Sequence, residues 1–201
     1  MRPVVRYLAL GDSYTVGEAV DKELSFPFQL AGRLAGRAEV IPTVVARTGW
    51  TTDELLQGLE ESGVSGTFDL VTLLIGVNNQ YREYDLQAFR TEFSELLTRA
   101  LGFAGGRKER VMVISIPDWG VTPFASGDKR SAAEIAAQID RFNGICREVA
   151  GNAGIRFLSI TEDSRRAASD PELTAADGLH PSGSMYGEWA DRLAPWADDL
   201  I

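Results

Sequence analysis

The chain holds a single histidine, His180, three residues after Asp177 in Asp177-Gly178-Leu179-His180-Pro181. Imidazole is the side chain that exchanges protons near neutral pH. Acid–base chemistry through histidine therefore has one place to occur. A separation of three lets a turn fold the carboxylate back onto the ring, which fixes the tautomer and leaves the second nitrogen as a base. Alone, the pattern is also that of an ordinary surface loop. Ser13, in Gly11-Asp12-Ser13-Tyr14, is the matching nucleophile candidate. A serine hydroxyl is a poor nucleophile until a base removes its proton, and His180 oriented by Asp177 offers one. Charge building on a tetrahedral intermediate then needs donors aimed at it. The backbone N–H groups of Ser13 and Gly49 and the side-chain amide of Asn78 are the candidates. Gly49 has no Cβ, so backbone can approach a substrate closely there.

Around these stand Asp12, Trp50, Asn79, Tyr81 and Trp119 as candidates for substrate contact. Each has a plainer reading beside it. Neighbouring residues on extended chain point in opposite directions, so Asp12 next to Ser13 also reads as a turn-stabilising group. Aromatic residues in loops, Phe124 among them, also serve as satellite packing. Two carboxylates, Asp118 and Asp177, make a weak cation site without further ligands, and no metal or cofactor is expected.

These residues need a scaffold to bring them together. Apolar, β-branched runs at Val4–Leu10, Glu39–Val45, Leu70–Ile75, Val111–Ile116 and Arg156–Ser159 predict strands. Amphipathic segments near Phe26–Leu34, Asp53–Glu60, Leu86–Leu101, Ser131–Ala150 and Met185–Leu200 predict helices between and after them. Asp85 is placed to cap the third helix, and Ser131 with Glu134 forms a capping-box pattern at the fourth. Strands alternating with helices imply right-handed crossovers and a parallel sheet covered on both faces. The expectation is one three-layer α/β/α domain over residues 1–201, with a five-stranded parallel sheet in flavodoxin-like order. Ligands bind beyond the carboxyl ends of such strands. Gly11–Tyr14, Thr48–Trp50, Gly76–Asn79, Pro117–Gly120 and Asp177–His180 all fall there.

The net charge of −9 argues against nucleic acid as partner and against docking on anionic lipid. The one cysteine, Cys146, excludes an internal disulfide and falls on a helical apolar stripe with Ile135, Ile139, Phe142 and Val149. No signal peptide or membrane-spanning run is read, which predicts a cytoplasmic protein without stable membrane association. Oligomeric state is not legible.

Four separated blocks, in order, resemble the SGNH hydrolases, also called GDSL-type esterases or lipases: Gly11-Asp12-Ser13-Tyr14, Gly49, Gly76-Val77-Asn78-Asn79 and Asp177-Gly178-Leu179-His180-Pro181. The resemblance spans nearly the whole chain. It implies Ser13 as nucleophile, His180 as general base and then acid, Asp177 as orienting carboxylate, and Ser13, Gly49 and Asn78 as the oxyanion hole. It further implies a serine esterase that cleaves small-molecule carboxylic esters through an acyl-enzyme. The compact chain, without a long lid insertion, points to short-chain or acetyl esters. Two positions depart from the family pattern. Tyr14 replaces the motif leucine, where a packing change alone is expected. Asn79 replaces an aspartate and leaves that position's supporting role open. Two rivals remain: a catalytically silent module of the same fold that binds carbohydrate or acyl groups, and a phosphate binder using Gly11–Ser13. The latter lacks the glycine density and lysine of phosphate loops.

Overall fold

The central strands are largely apolar, which suits a sheet covered on both faces. In the computed structural model, which describes residues 2–201, every residue of the third strand, Leu70–Leu74, is buried. Five strands form one sheet: β1 (Val4–Gly11), β2 (Glu39–Ala46), β3 (Leu70–Leu74), β4 (Val111–Ile114) and β5 (Arg156–Leu158). Their order is β2-β1-β3-β4-β5, with every pairing parallel. This is the expected flavodoxin-like arrangement, whose direction of winding switches between β1 and β3.

The helices are α1 (Ser13–Val16), α2 (Phe26–Leu34), α3 (Thr52–Glu61), α4 (Val77–Tyr81), α5 (Leu86–Phe103), α6 (Ala132–Ala153), α7 (Thr161–Arg165) and α8 (Gly183–Asp198). α2 packs on α8, while α5 packs on both α3 and α6, so the long helices form two groups around the sheet. On α6, Ile135, Ile139, Phe142 and Cys146 are buried and Val149 is half-buried, as the stripe predicts. Burial also pushes the Cys146 thiol well above its ordinary range, which makes it a packing group and not a nucleophile. Phe89 lies 4.7 Å from Phe142 and 5.7 Å from Phe93 between ring centroids, welding α5 to α6. Each such fully buried side chain contributes roughly 1.5–3 kcal/mol.

The helix starts follow local chemistry. Asp85 accepts from the N–H groups of Gln87 and Ala88, each at 3.0 Å, and opens α5. Ser131 and Glu134 close a reciprocal capping box at α6. Several strands stop short of the expected ends. β4 ends at Ile114 because Asn143 takes over the next pairing: its Oδ1 accepts from Ile116 N–H at 2.8 Å and its Nδ2 donates to Ile116 carbonyl at 3.1 Å. β3 ends at Leu74 because the chain turns sharply at Gly76, whose φ is +127°. A Cβ there would stand 2.9 Å from the Phe89 ring, so only glycine lets β3 pass over α5 into α4. No described helix is long and apolar enough to cross a membrane.

Candidate active site

Ser13 is the first residue of α1, just beyond the carboxyl end of β1. Asp12 precedes it in extended conformation and caps the turn, its Oδ1 accepting from Tyr14 N–H at 3.0 Å. The capped turn presents the Ser13 hydroxyl to His180, nearly a full chain away in sequence. Ser13 Oγ lies 2.9 Å from His180 Nε2. On the other side of the ring, His180 Nδ1 lies 2.6 Å from Asp177 Oδ2. A carboxylate only accepts, so Nδ1 carries the ring proton and Nε2 offers a lone pair to the serine hydroxyl.

The turn that carries Asp177 and His180 holds itself in shape. Asp177 Oδ1 accepts from the N–H groups of Leu179 and His180, each at 3.0 Å. Partial burial works against the ionised carboxyl, but the His180 ring and these two N–H groups outweigh it and hold Asp177 below its ordinary pKa. The wider loop is pinched shut. Ala175 N–H donates to His180 carbonyl at 2.7 Å, and Ser182 N–H donates to Leu173 carbonyl at 2.9 Å. Ser182 also caps α8, accepting from Met185 N–H.

Gly49 and Asn78 face Ser13 across a cavity of about 140 Å³ that also takes in His180, Tyr81, Trp119 and Phe124. Gly49 has φ +87°, a left-handed conformation that favours glycine. Asn78 Nδ2 donates to Trp50 carbonyl at 2.9 Å. That acceptor fixes which end of the amide is nitrogen and leaves the second N–H for another partner. The two loops are cross-linked further. Arg82 donates to Gly49 carbonyl at 2.7 Å. Asn79 Oδ1 accepts from Thr52 N–H at 3.1 Å, and Asn79 Nδ2 donates to Thr52 Oγ1 at 2.7 Å, while that hydroxyl in turn donates to Glu92.

Three of the residues expected at a substrate are thereby placed elsewhere. Asp12 is fully buried, with one oxygen capping α1. Asn79 is fully buried and engaged with Thr52, so it ties the loop after β3 to the start of α3. An aspartate could not donate to Thr52 Oγ1. The Trp50 ring packs over Gly58 of α3, where a Cβ would stand 2.1 Å from it; only its carbonyl serves the site, through Asn78. Tyr81 and Trp119 do line the cavity, with Phe124, Val77, Thr48 and Leu179. Tyr14 does more than pack. Its ring lies 5.1 Å from the His180 ring and reaches the cavity beside Ser13. Asp118, weighed as half of a cation site, accepts from Gly120 N–H and from Arg165 Nε, each at 2.9 Å. Among the described residues no three metal-ligating side chains cluster.

A five-stranded parallel sheet with a serine, an imidazole, a carboxylate and an asparagine at its switch point has the layout of the SGNH hydrolase fold. A sequence profile matches residues 9–187, and the chain belongs to the GDSL-like lipase/acylhydrolase family, a family of hydrolases. Solved structures share the fold at low sequence identity. A lipase/acylhydrolase from Enterococcus faecalis is 21% identical with a TM-score of 0.73, covering 100% of this chain and 98% of that one. An acetyl xylan esterase, AlAXEase, is 18% identical with a TM-score of 0.74, covering 98% of this chain and 100% of that one. The acetylxylan esterase Axe2 from Geobacillus stearothermophilus is 16% identical with a TM-score of 0.72, covering 98% and 95%. No curated protein sequence matches the chain.

Proposed function

We propose that the protein is a serine esterase that cleaves short-chain or acetyl carboxylic esters through an acyl-enzyme. The observation that carries the reading is the unbroken relay from Ser13 Oγ through the His180 ring to Asp177. Ser13 attacks the ester carbonyl as His180 Nε2 takes its proton, and Asp177 stabilises the imidazolium that forms. The oxyanion is met by the main-chain N–H groups of Ser13 and Gly49 and the second amide hydrogen of Asn78. The imidazolium then gives its proton to the departing alcohol. Water, deprotonated by the same Nε2, attacks the acyl-enzyme, and the acid leaves as Ser13 regains its proton.

The size of the cleft supports a short acyl group. At about 140 Å³, the cavity is small beside the roughly 300–1,000 Å³ of pockets that hold drug-sized ligands. The neighbours include acetyl xylan esterases, which agrees with acetyl esters as substrates without naming the alcohol.

The test is a fluorophosphonate label mapped by mass spectrometry, together with hydrolysis of an aryl acetate. The parent should be labelled on Ser13 and hydrolyse the ester. Ser13→Ala should lose both, with turnover down roughly 10⁴-fold or more. Turnover near the parent level in Ser13→Ala would defeat the assignment.

A further inference from the structure

The aromatic wall of the cleft is gathered from two loops. Tyr81 ends α4, and Trp119 and Phe124 follow β4. Their ring centroids stand 5.3 Å (Tyr81 to Trp119), 5.9 Å (Trp119 to Phe124) and 6.2 Å (Tyr81 to Phe124) apart. Tyr81 and Phe124 are each 44% exposed, whereas Trp119 is 2% exposed. Rings so open to solvent at a mouth need something behind them to hold a shape.

That support is polar and comes from a third element. Trp119 Nε1 donates to Gln80 Oε1 at 2.7 Å. Gln80 Nε2 donates to Gln138 Oε1, on α6, at 2.7 Å. Arg130 Nη1 donates to the same Gln138 oxygen at 3.3 Å. Indole and guanidinium groups only donate, so Gln80 must turn its oxygen to Trp119 and its nitrogen to Gln138. One amide orientation satisfies the chain. Arg130 is in turn locked to Asp128 through Nε at 2.9 Å and Nη2 at 2.8 Å. This pairing holds the Asp128 carboxyl well below its ordinary range. The flat guanidinium thus stands behind the wall, its carbon 5.4 Å from the Trp119 ring centroid and 5.7 Å from that of Tyr81. Gln80, Gln138, Asp128 and Arg130 are not among the residues that line the cleft with Ser13. They act through the rings.

We propose that the Asp128–Arg130–Gln138–Gln80 chain determines substrate preference by holding Trp119 and Tyr81 as a fixed wall of the cleft. The proposal rests on the ester-hydrolase reading. A fixed wall keeps the groove short. Freeing it lets the rings swing, weakens contact with a small acyl group and admits a longer one. These four are positioning residues, so their loss falls on KM and on the order of preferred substrates and leaves the serine relay intact.

The experiment compares full-length parent, Arg130→Met and Gln138→Leu on p-nitrophenyl esters from acetyl to octanoyl. Fluorophosphonate labelling serves as a check on the nucleophile. Arg130→Met keeps an apolar stem but loses the fork and the stacked cation. Its KM for the acetyl ester should rise about 3- to 10-fold, the scale of losing a partly desolvated cation–π contact, with kcat within about twofold. The octanoyl-to-acetyl ratio of kcat/KM should rise. Gln138→Leu should move the ratio the same way, and it keeps the question answerable if Arg130→Met does not fold. Arg130→Lys should behave as Arg130→Met, because an ammonium lacks the planar fork. A ratio unchanged in folded variants that still take the label would overturn the proposal and leave the ester reading standing. So would an equal fall in kcat on every ester. A parent that takes no label and cleaves no ester would remove both.

Discussion

The two sides of the cleft are held by different means. On one side, the turn from Asp177 to His180 is built from contacts within four residues: one carboxylate accepts from two backbone N–H groups and one ring. On the other, the aromatic wall depends on Gln80, in α4, and on Arg130 and Gln138, just before and within α6, far along the chain. The first arrangement holds its own shape through bonds within the turn and admits no change in its own letters. The second is a chain of supports, so the loss of any one member loosens the wall without touching the serine relay. Groups that move protons need placement within fractions of an ångström, and short-range bonds give it. Groups that select a substrate need a shape, which long-range packing can give.

The contrast can be broken at its strongest point first. Asp177→Asn replaces a pure acceptor with a group that can donate, so the imidazole loses its reason to keep the proton on Nδ1. A wrong tautomer leaves Nε2 protonated and useless as a base. Turnover should fall by roughly 10⁴-fold while the fold persists, measured as kcat on an aryl acetate beside a circular-dichroism spectrum. A loss of less than tenfold would mean that the local turn does not govern the ring.

Asn78→Ala comes next. It removes the amide proposed to meet the oxyanion and frees the Trp50 carbonyl. The expected loss is about 10²- to 10³-fold in kcat, with KM little changed. A loss confined to KM would recast Asn78 as a binding group and move it to the wall's side of the comparison.

The smallest expected effect concerns stability. Burial raises the Asp12 carboxyl from 3.8 to about 7, against the opposing pull of Tyr14 N–H. Between those values the folded protein keeps a proton that the unfolded chain has released. Folding stability therefore falls as pH climbs through that window. Asp12→Asn keeps an accepting oxygen for the cap and has no charge to desolvate. Its melting temperature relative to the parent should be higher at about pH 8 than at about pH 5. A gap that is the same at both would show that Asp12 is not strained by burial.

The same contrast explains what could be seen beforehand. The strands were legible to within two residues because most are short apolar, β-branched runs, wholly buried in β3 and β4 and half-exposed at the edge in β2. The caps at Asp85 and Ser131 were legible because each is closed within three residues. The site blocks were visible as short motifs at strand ends. What escaped was side-chain direction. Nothing local in Trp50 says that its ring leaves the cleft for Gly58, nor in Asn79 that its amide is taken by Thr52. Tyr14 read as packing alone, and it does pack, but against the His180 ring. α1, α4 and α7 have four or five residues each, too few to show a helical period. Gln80, Gln138 and Arg130 carry no motif at all, because their meaning lies in contacts across the fold.

Ser182 joins two duties: its backbone closes the loop that bears the imidazole, and its hydroxyl begins the last helix. The His180 ring is thus moored to a helix that is seated by Trp189, buried against Phe26 of α2. A misfit at that distant seam would be felt first in turnover, before any spectroscopic sign of unfolding, because the ring would drift out of line with the serine while the sheet stayed whole.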